Sequence, residues 1–184
     1  MDFKEVSAVF KNDLAGVEKC LRDNYFSDIP LVPGIGDYIM NGGGKRVRPL
    51  LLMICARLSG IEVNGKVIRH ATAVEYVHAA SLLHDDVVDE TTVRRGRPTV
   101  NTKWGSDASI LVGDFLIARA LLLLSNDVDE TVFRCFAEGA KTLVEGGLLE
   151  FTHARDINVT QEHCLDVAYR KTASVMALAC QLGA

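Results

Sequence analysis

Residues 66–90 form an almost unbroken apolar stretch that ends in a run of acidic residues. A stretch of this length without helix breakers predicts one long buried helix of about 37 Å. Helical periodicity continues through most of the chain, and no alternating strand pattern or hairpin signal interrupts it. No linker is long enough to divide the chain. We therefore expect an all-α fold with a single helical domain over residues 1–184.

The other helix boundaries follow from capping residues and helix breakers. Pro49 is placed in the first turn of a buried helix that ends at Leu58, and Thr160 is placed to cap the last helix. Gly146 and Gly147 are expected to weaken a long helix from within. The expected segments are 2–24, a short helix ending at Met40, 49–58, 66–90, a helix from Ser106 or Asp107 to Leu124, a helix from Asn126 or Asp127 to His153, and 160–182.

Composition excludes several classes of protein. With 184 residues, 48% of them hydrophobic, the chain is large enough for one core. Its formal charge of −4 provides no basic field that would favour nucleic acid. Five widely spaced cysteines predict reduced thiols in a cytoplasmic protein. The N-terminus lacks a signal-peptide core. The apolar run 117–124 is interrupted by Arg119 and is expected to be too short to span a bilayer.

Three carboxylates cluster at the end of the long helix. Asp85 and Asp89 lie one turn apart on one face, and Asp86 flanks them. They lie at the negative end of the helix dipole, where uncompensated carboxylates are disfavoured. A divalent cation relieves this repulsion, which a solvated acidic patch would not do. An arginine cluster follows from Arg94, and arginine binds phosphate through a planar fork of donors. The pattern therefore predicts a site for a Mg²⁺-bound diphosphate.

A glycine-rich segment contains further candidate ligand-binding residues. Three glycines, residues 42–44, precede Lys45 and Arg48 at the start of a predicted helix. Glycines allow close approach of a ligand to the backbone, and helix N-termini favour anions. The alternative is an ordinary basic loop. The spacing of a P-loop is absent.

Two histidines of the long helix have different interpretations. His78 lies two turns before Asp85 on the same face, with Glu75 one turn further back. A lone histidine on an apolar helix is usually a core residue, but the shared face favours contact with a ligand. His84 lies off this face, and we expect it to be structural.

Two other polar positions have structural interpretations. From the residues alone, Lys171-Thr172 is a solvated lysine followed by a threonine that bonds to the helix backbone. Asp114 is a carboxylate inside a very apolar helix and needs a partner. We expect a structural ion pair with Arg94 or Arg95, and a role beside bound metal ions is the alternative.

Taken in order, these segments resemble the trans-isoprenyl diphosphate synthases, or polyprenyl synthetases. Residues 43–49 resemble the first conserved block of that family, residues 83–96 its first aspartate-rich motif and residues 171–173 a later block. The resemblance begins near Gly42 and runs to the end of the chain. It implies an antiparallel helical bundle of the isoprenoid-synthase type around a central cavity.

The resemblance also implies an activity, the Mg²⁺-dependent condensation of isopentenyl diphosphate with an allylic diphosphate. It assigns roles to the residues of these blocks: Mg²⁺ ligands at Asp85, Asp86 and Asp89; the allylic diphosphate at Arg94, Lys171 and Thr172; isopentenyl diphosphate at Lys45, Arg48, His78 and Arg95. We expect a homodimer, for which the apolar helix 107–124 is a candidate surface.

Product length is expected to depend on two positions of the long helix. Ser81 lies one turn before Asp85 on the same face, and Ala80 is beside it. In the family, members that stop at short products tend to have aromatic residues at these positions. Both residues are small here, which predicts a long-chain product of the octaprenyl type.

Two features depart from the family pattern. The second aspartate-rich motif does not occur before the chain ends at Ala184, so we expect a truncated bundle with exposed apolar helix surface. Glu150 stands where many relatives have a glutamine near the ligand.

Three interpretations therefore compete. The first is part of an active long-chain synthase. The second is a truncated non-catalytic subunit or fragment that binds diphosphates or a partner without turnover. The third is an unrelated di-iron bundle, which requires two Glu-x-x-His pairs; Glu75 and His78 form one such pair on the long helix. The complete set of acidic and basic blocks favours the first interpretation.

Overall fold

The computed structural model describes residues 2–127 and 129–184, which are almost entirely helical. In chain order the elements are α1 (Phe3–Val9), α2 (Lys11–Asn24), α3 (Leu31–Met40), α4 (Val47–Leu58), α5 (Gly65–Val88), β1 (Val93–Arg94), β2 (Arg97–Pro98), α6 (Val100–Trp104), α7 (Ser106–Ser125), α8 (Glu130–His153), α9 (Gln161–Ala168), a π-helical turn (Tyr169–Ala173) and α10 (Ser174–Gly183). The predicted all-α bundle is confirmed.

Helix α5 lies at the centre of the fold. It packs against α2, α4, α6, α7, α8 and α10, and its residues 70–77 are all buried. A helix surrounded on all sides buries apolar residues around its whole circumference, which explains why this stretch has no polar face. Tyr76 is fully buried, and its hydroxyl donates to the carbonyl of Leu21 in α2. The prediction of one long buried helix over residues 66–90 is confirmed to within two residues at each end.

Helix α7 lies along α5 and contributes Leu116 and Leu124 to the core. Among the described residues it is the one helix long and apolar enough to cross a membrane, with a mean hydropathy of 1.9 over its apolar window. The helix predicted from Ser106 or Asp107 to Leu124 is therefore confirmed to within one residue at each end, and it contains the apolar run 117–124. A core helix of a globular protein has the same length and composition. The helix begins after Gly105 without a side-chain cap, so the expected caps at Ser106 and Asp107 are wrong.

A short hairpin follows α5, although the sequence predicted none. Val93 pairs with Pro98 and Arg94 with Arg97 in an antiparallel ladder. The two residues between the strands, Arg95 and Gly96, have φ angles of 53° and 73°. Positive φ at both central residues is the geometry of a type I′ turn. Because this turn is Arg-Gly and not the usual Asn-Gly, it carried no hairpin signal.

The start of α8 also differs from the prediction. Asp129 caps the helix by accepting hydrogen bonds from two backbone N–H groups of its first turn. The expected caps, Asn126 and Asp127, are therefore wrong. Asp127 instead forms an ion pair with Arg69 of α5, which ties the end of α7 to the central helix.

The C-terminal helical segment is capped by Thr160, as predicted, and passes through the π-helical turn into α10. Gly146 of α8 packs against this turn. An added Cβ at Gly146 would lie 2.6 Å from the backbone nitrogen of Lys171, whereas one at Gly147 would meet nothing within 4 Å. Gly146 is thus a position of close approach within a helix that continues through both glycines.

Apolar side chains are exposed on α8 and on the segment after it, as expected. Val144, Leu148 and Phe151 of α8, with Leu165 and Tyr169 beyond it, are each more than half exposed. These residues place exposed apolar side chains on the helices before and within the π-helical turn.

Candidate functional site

A cleft lies between α5 and the glycine-rich loop. It consists of two adjoining cavities that share Arg46, Glu75, His78 and Arg95 in their walls. The larger cavity has a volume of about 610 Å³ and also includes Lys45 and Arg48. The smaller one, of about 110 Å³, extends along α5 to the residues at its end and to the hairpin. The structure therefore brings together the four predicted ligand-binding groups Lys45, Arg48, His78 and Arg95, which three separate segments contribute.

Arg46 holds the glycine-rich loop in place. It has a left-handed backbone with a φ of 48° just before α4. Its Nε lies 2.6 Å from a carboxylate oxygen of Glu18, and its Nη1 lies 2.8 Å from one of Glu75. Sequence reasoning did not single out this residue. The available signal was Glu75, because a carboxylate in a buried helix requires a cationic partner.

The cleft has an excess of positive charge around His78. Burial and the charges of Arg48 and Arg95 lower the pKa of His78 to about 3, so its imidazole is neutral at neutral pH. Burial also lowers the pKa of Arg48, and its Nε is buried without a hydrogen-bond partner. An unsatisfied buried donor costs about 1–3 kcal/mol. Arg48 itself lines the larger cavity.

Two other basic groups of the cleft, Arg95 and Lys45, differ in how firmly they are held. The guanidinium of Arg95 donates to the carbonyl of Gly43, which joins the hairpin turn to the glycine-rich loop. Lys45 is exposed, with its Nζ 5.9 Å from the centre of the Phe3 ring. The charge of Lys45 is therefore free to turn towards an incoming ligand.

Asp86 and Arg94 form an ion pair at the end of α5. Asp86 is 4% exposed, and one of its oxygens lies 2.9 Å from Nε and 2.8 Å from Nη2 of Arg94. The hairpin turns the chain back so that this arginine reaches the helix C-terminus, where the dipole favours a cation. Both residues face the smaller cavity. In this arrangement their charges neutralise each other.

Lys171 joins the acidic end of α5 to the π-helical turn. Its Nζ lies 3.5 Å from Asp85, and it also forms an ion pair with Glu150 of α8. Burial alone would lower the pKa of Lys171, but the contact with Glu150 and the charges of Asp85 and Asp89 raise it. Burial raises the pKa of Asp85, and the charges of Asp89 and Glu150 add to that rise against the opposing effect of Lys171. Negative charge is therefore in excess here.

The other residues predicted near this end of the site are placed as follows. Asp89 caps the C-terminus of α5, and Thr172 is exposed on the π-helical turn. Ala80 is 1% exposed within the core, and the half-buried Ser81 donates its hydroxyl to the carbonyl of His78. Neither Ala80 nor Ser81 lines the two cavities of the cleft.

His84 and Asp114 form a contact that the sequence did not predict. The Nε2 of His84 lies 3.1 Å from the carbonyl oxygen of Ile110 and 3.4 Å from a carboxylate oxygen of Asp114. His84 is thus structural, as expected. The expected pairing of Asp114 with Arg94 or Arg95 is wrong, because those two arginines have partners on the hairpin side of α5.

No group of three or more carboxylate, imidazole or thiol side chains within residues 2–127 and 129–184 forms a ready-made metal cage. Mg²⁺ usually keeps several waters and binds through one or two carboxylates together with substrate phosphates. The neighbouring charges of Asp85 and Asp89 suit such an ion, whose other ligands would be phosphate oxygens and water.

Comparison with known proteins adds a family to this geometry. A family model described as polyprenyl synthetase matches residues 30–184. The octaprenyl diphosphate synthase of Escherichia coli is 37% identical over 181 residues, which cover 98% of this chain and 56% of that protein. The chain thus spans about half the length of the curated relatives it matches.

Two crystal structures have nearly the same arrangement of helices. A decaprenyl diphosphate synthase from Rhodobacter capsulatus superimposes with a TM-score of 0.95 at 35% identity, over 99% of this chain and 56% of that one. A polyprenyl synthase from Caulobacter crescentus, complexed with calcium and isoprenyl diphosphate, superimposes with a TM-score of 0.95 at 35% identity, over 99% and 55%. The helices that surround the cleft are therefore those of a known enzyme fold.

Proposed function

Because this chain belongs to the polyprenyl synthetase family, we propose that the protein is a prenyltransferase. It condenses isopentenyl diphosphate with an allylic diphosphate and makes a long-chain all-trans polyprenyl diphosphate. The observation that carries this proposal is that a basic cleft and an excess of carboxylates adjoin near the C-terminal end of α5. Two substrates that each carry a diphosphate group, and that react with each other, require two neighbouring binding sites. One of these sites would hold a metal ion.

The basic cleft is the proposed site for isopentenyl diphosphate, held by Lys45, Arg48, His78 and Arg95. The grouping of these residues in the wall of one cavity supports an anionic ligand. His78 contributes an N–H donor and no charge, since its imidazole is neutral at neutral pH. Arginine recognises phosphate through paired donors, whereas a lysine acts as a point charge.

The acidic side is the proposed site for the allylic diphosphate and Mg²⁺. Asp85, Asp86 and Asp89 would hold the metal, and Arg94, Lys171 and Thr172 would hold the diphosphate. The excess negative charge around Asp85 supports a cation there. When bound, Mg²⁺ supplies electrostatic stabilisation of the departing diphosphate. Arg94 and Lys171 would contribute to the same effect after exchanging their carboxylate partners for phosphate oxygens.

The reaction would proceed by ionisation and condensation. The C–O bond to the allylic diphosphate breaks, and the double bond of isopentenyl diphosphate supplies the electrons of the new C–C bond. A proton is then lost to the released diphosphate, so no protein base is needed. The apolar wall of α5 would exclude water from the cation.

Direct assay of the chain tests this function. The full chain is incubated with farnesyl diphosphate, isopentenyl diphosphate and Mg²⁺, and the products are separated by chain length. Asp85→Asn should abolish turnover, while Asp28→Asn, which removes an exposed carboxylate far along the chain, should leave it unchanged. Turnover that survives Asp85→Asn would contradict the assigned metal site.

Product length provides a second test. We propose that the growing chain extends along α5 past Ser81 and Ala80, so Ser81→Phe and Ala80→Phe should block its path and shorten the product. Ser125→Phe is a matched control, since the Ser125 hydroxyl also donates to a carbonyl three residues back, in α7. Unchanged product length in both test variants would show that the path lies elsewhere.

A second candidate function is a non-catalytic subunit or fragment that binds diphosphates or a partner without turnover. Diphosphate binding in the presence of Mg²⁺, with no product formed, would support this alternative. Absence of any binding would contradict both functions.

Assembly and location complete the proposal. A homodimer would cover apolar side chains of α7 such as Leu111 and Leu122, which are 67% and 54% exposed. The five cysteines are free thiols, which is in keeping with a reducing cytoplasm. Sedimentation of the chain at several concentrations would test for the dimer.

A further inference from the structure

The ammonium group of Lys171 contacts two carboxylates at the acidic side of the site. The Nζ of Lys171 contacts Glu150 and lies 3.5 Å from Asp85. The Lys171 side chain is 23% exposed, so these carboxylates replace much of its water. Glu150 itself is half exposed, with room for its side chain to release the lysine.

The backbone keeps Glu150 and Lys171 close together. Glu150 lies one turn after Gly146 on the same face of α8. Gly146 packs against the backbone of Lys171 so closely that even a Cβ would lie 2.6 Å from its nitrogen. The contact between the two charged side chains therefore follows from a fixed approach of α8 to the π-helical turn.

The charge of Glu150 acts in opposite directions on the two ligands of the proposed function. It competes with a diphosphate for Lys171 and repels the diphosphate directly. It also adds to the negative potential at Asp85, which attracts a divalent cation. A carboxylate at this position therefore weakens the binding of metal-free diphosphate and strengthens the binding of the metal.

We propose that Glu150 is a positioning residue for Lys171 that makes the site select a diphosphate already bound to its metal ion. This inference rests on the proposed function of the same site. On binding of the metal complex, Lys171 would exchange Glu150 for a phosphate oxygen, and Asp85, Asp89 and Glu150 would be compensated by the charge of the ion. Without the metal, the diphosphate meets Glu150, Asp85 and Asp89 with their charges uncompensated.

The test measures binding to the full chain by isothermal titration calorimetry, with Mg²⁺ alone and with inorganic diphosphate in the presence of a chelator. Glu150→Gln keeps an oxygen that accepts from Lys171 but removes the charge. We expect roughly threefold tighter diphosphate binding and roughly threefold weaker Mg²⁺ binding, the size of a single exposed ion-pair effect. Glu138→Gln removes the same charge from an exposed position three turns earlier on α8 and should change neither.

The outcomes separate this inference from the proposed function. Opposite changes in the two affinities support Glu150 as a selective positioning residue. Weaker binding of both ligands would mean that Glu150 is only structural and would overturn the inference, as would affinities equal to those of Glu138→Gln. Failure of the unaltered chain to bind either ligand would overturn the proposed function together with the inference.

Discussion

The contact between Gly146 and the π-helical turn permits a quantitative test of how α8 positions Lys171. An added Cβ at Gly146 would lie 2.6 Å from the Lys171 nitrogen, 2.7 Å from the Arg170 Cβ and 2.9 Å from the Arg170 carbonyl carbon. Two of these three atoms are backbone atoms, which cannot rotate away as the end of a side chain can. Gly146→Ala must therefore push the turn and α8 apart by several tenths of an ångström.

Gly147→Ala is a control that separates the overpacking cost of Gly146→Ala from the change in helix propensity. Alanine is favoured over glycine within a helix by about 0.8–1 kcal/mol, and both variants gain this amount. Gly147→Ala meets nothing within 4 Å and should be more stable than the unaltered chain. Gly146→Ala also incurs an overpacking cost of about 1–3 kcal/mol. The two variants should therefore differ in unfolding free energy by about 1–3 kcal/mol.

Urea unfolding followed by circular dichroism measures this difference. With a slope of about 2 kcal/mol per molar urea, the midpoints of the two variants should be roughly 0.5–1.5 M apart. Gly146→Ala should also bind diphosphate more weakly, because it moves the residues on either side of Lys171. Equal midpoints for the two alanine variants would refute the close contact and the argument built on it.

Two further predictions concern the basic cleft. The pKa of His78 is about 3 in the folded chain and 6.5 in the unfolded one, so the unfolded state binds more protons between these two pH values. The free energy of unfolding should therefore rise with pH from about pH 3 to 6.5. In His78→Gln it should rise less steeply. Parallel pH profiles of urea midpoints would contradict this. Arg46→Met leaves Glu75 buried without its cation and should cost about 3 kcal/mol. Arg134→Met, which breaks only the exposed pair with Glu130, should cost less than about 0.5 kcal/mol, and equal losses in thermal unfolding would count against the buried pair.

Features that depend on neighbours along the chain were predictable from the sequence. The length and burial of α5 followed from an apolar stretch without breakers, and the cap at Thr160 followed from a side chain suited to helix starts. The hairpin after α5 was missed because its Arg-Gly turn adopts positive φ without the usual residues. The ion pair between Asp86 and Arg94 depends on that hairpin, so the sequence did not predict it either.

The ligand-binding groups were predictable as a set, but their partners were not. The acidic run, the glycine-rich block and the lysine of the last block could each be recognised, since a motif is a local pattern. That Arg46 pairs with Glu75, 29 positions away, and that Arg95 donates to Gly43, 52 positions away, depends on how α4, α5 and the hairpin pack.

The amino-acid order by itself determined where the chain is helical, which helix is central and which blocks carry charge, because hydrophobic periodicity and capping act over a few residues. Only the tertiary structure decided that Glu150 and Asp85 share Lys171 and that the Arg48 Nε is left without a partner. Such contacts join residues that are far apart in the chain. They depend on the close approach of helices, and that approach is set by the packing of the whole core.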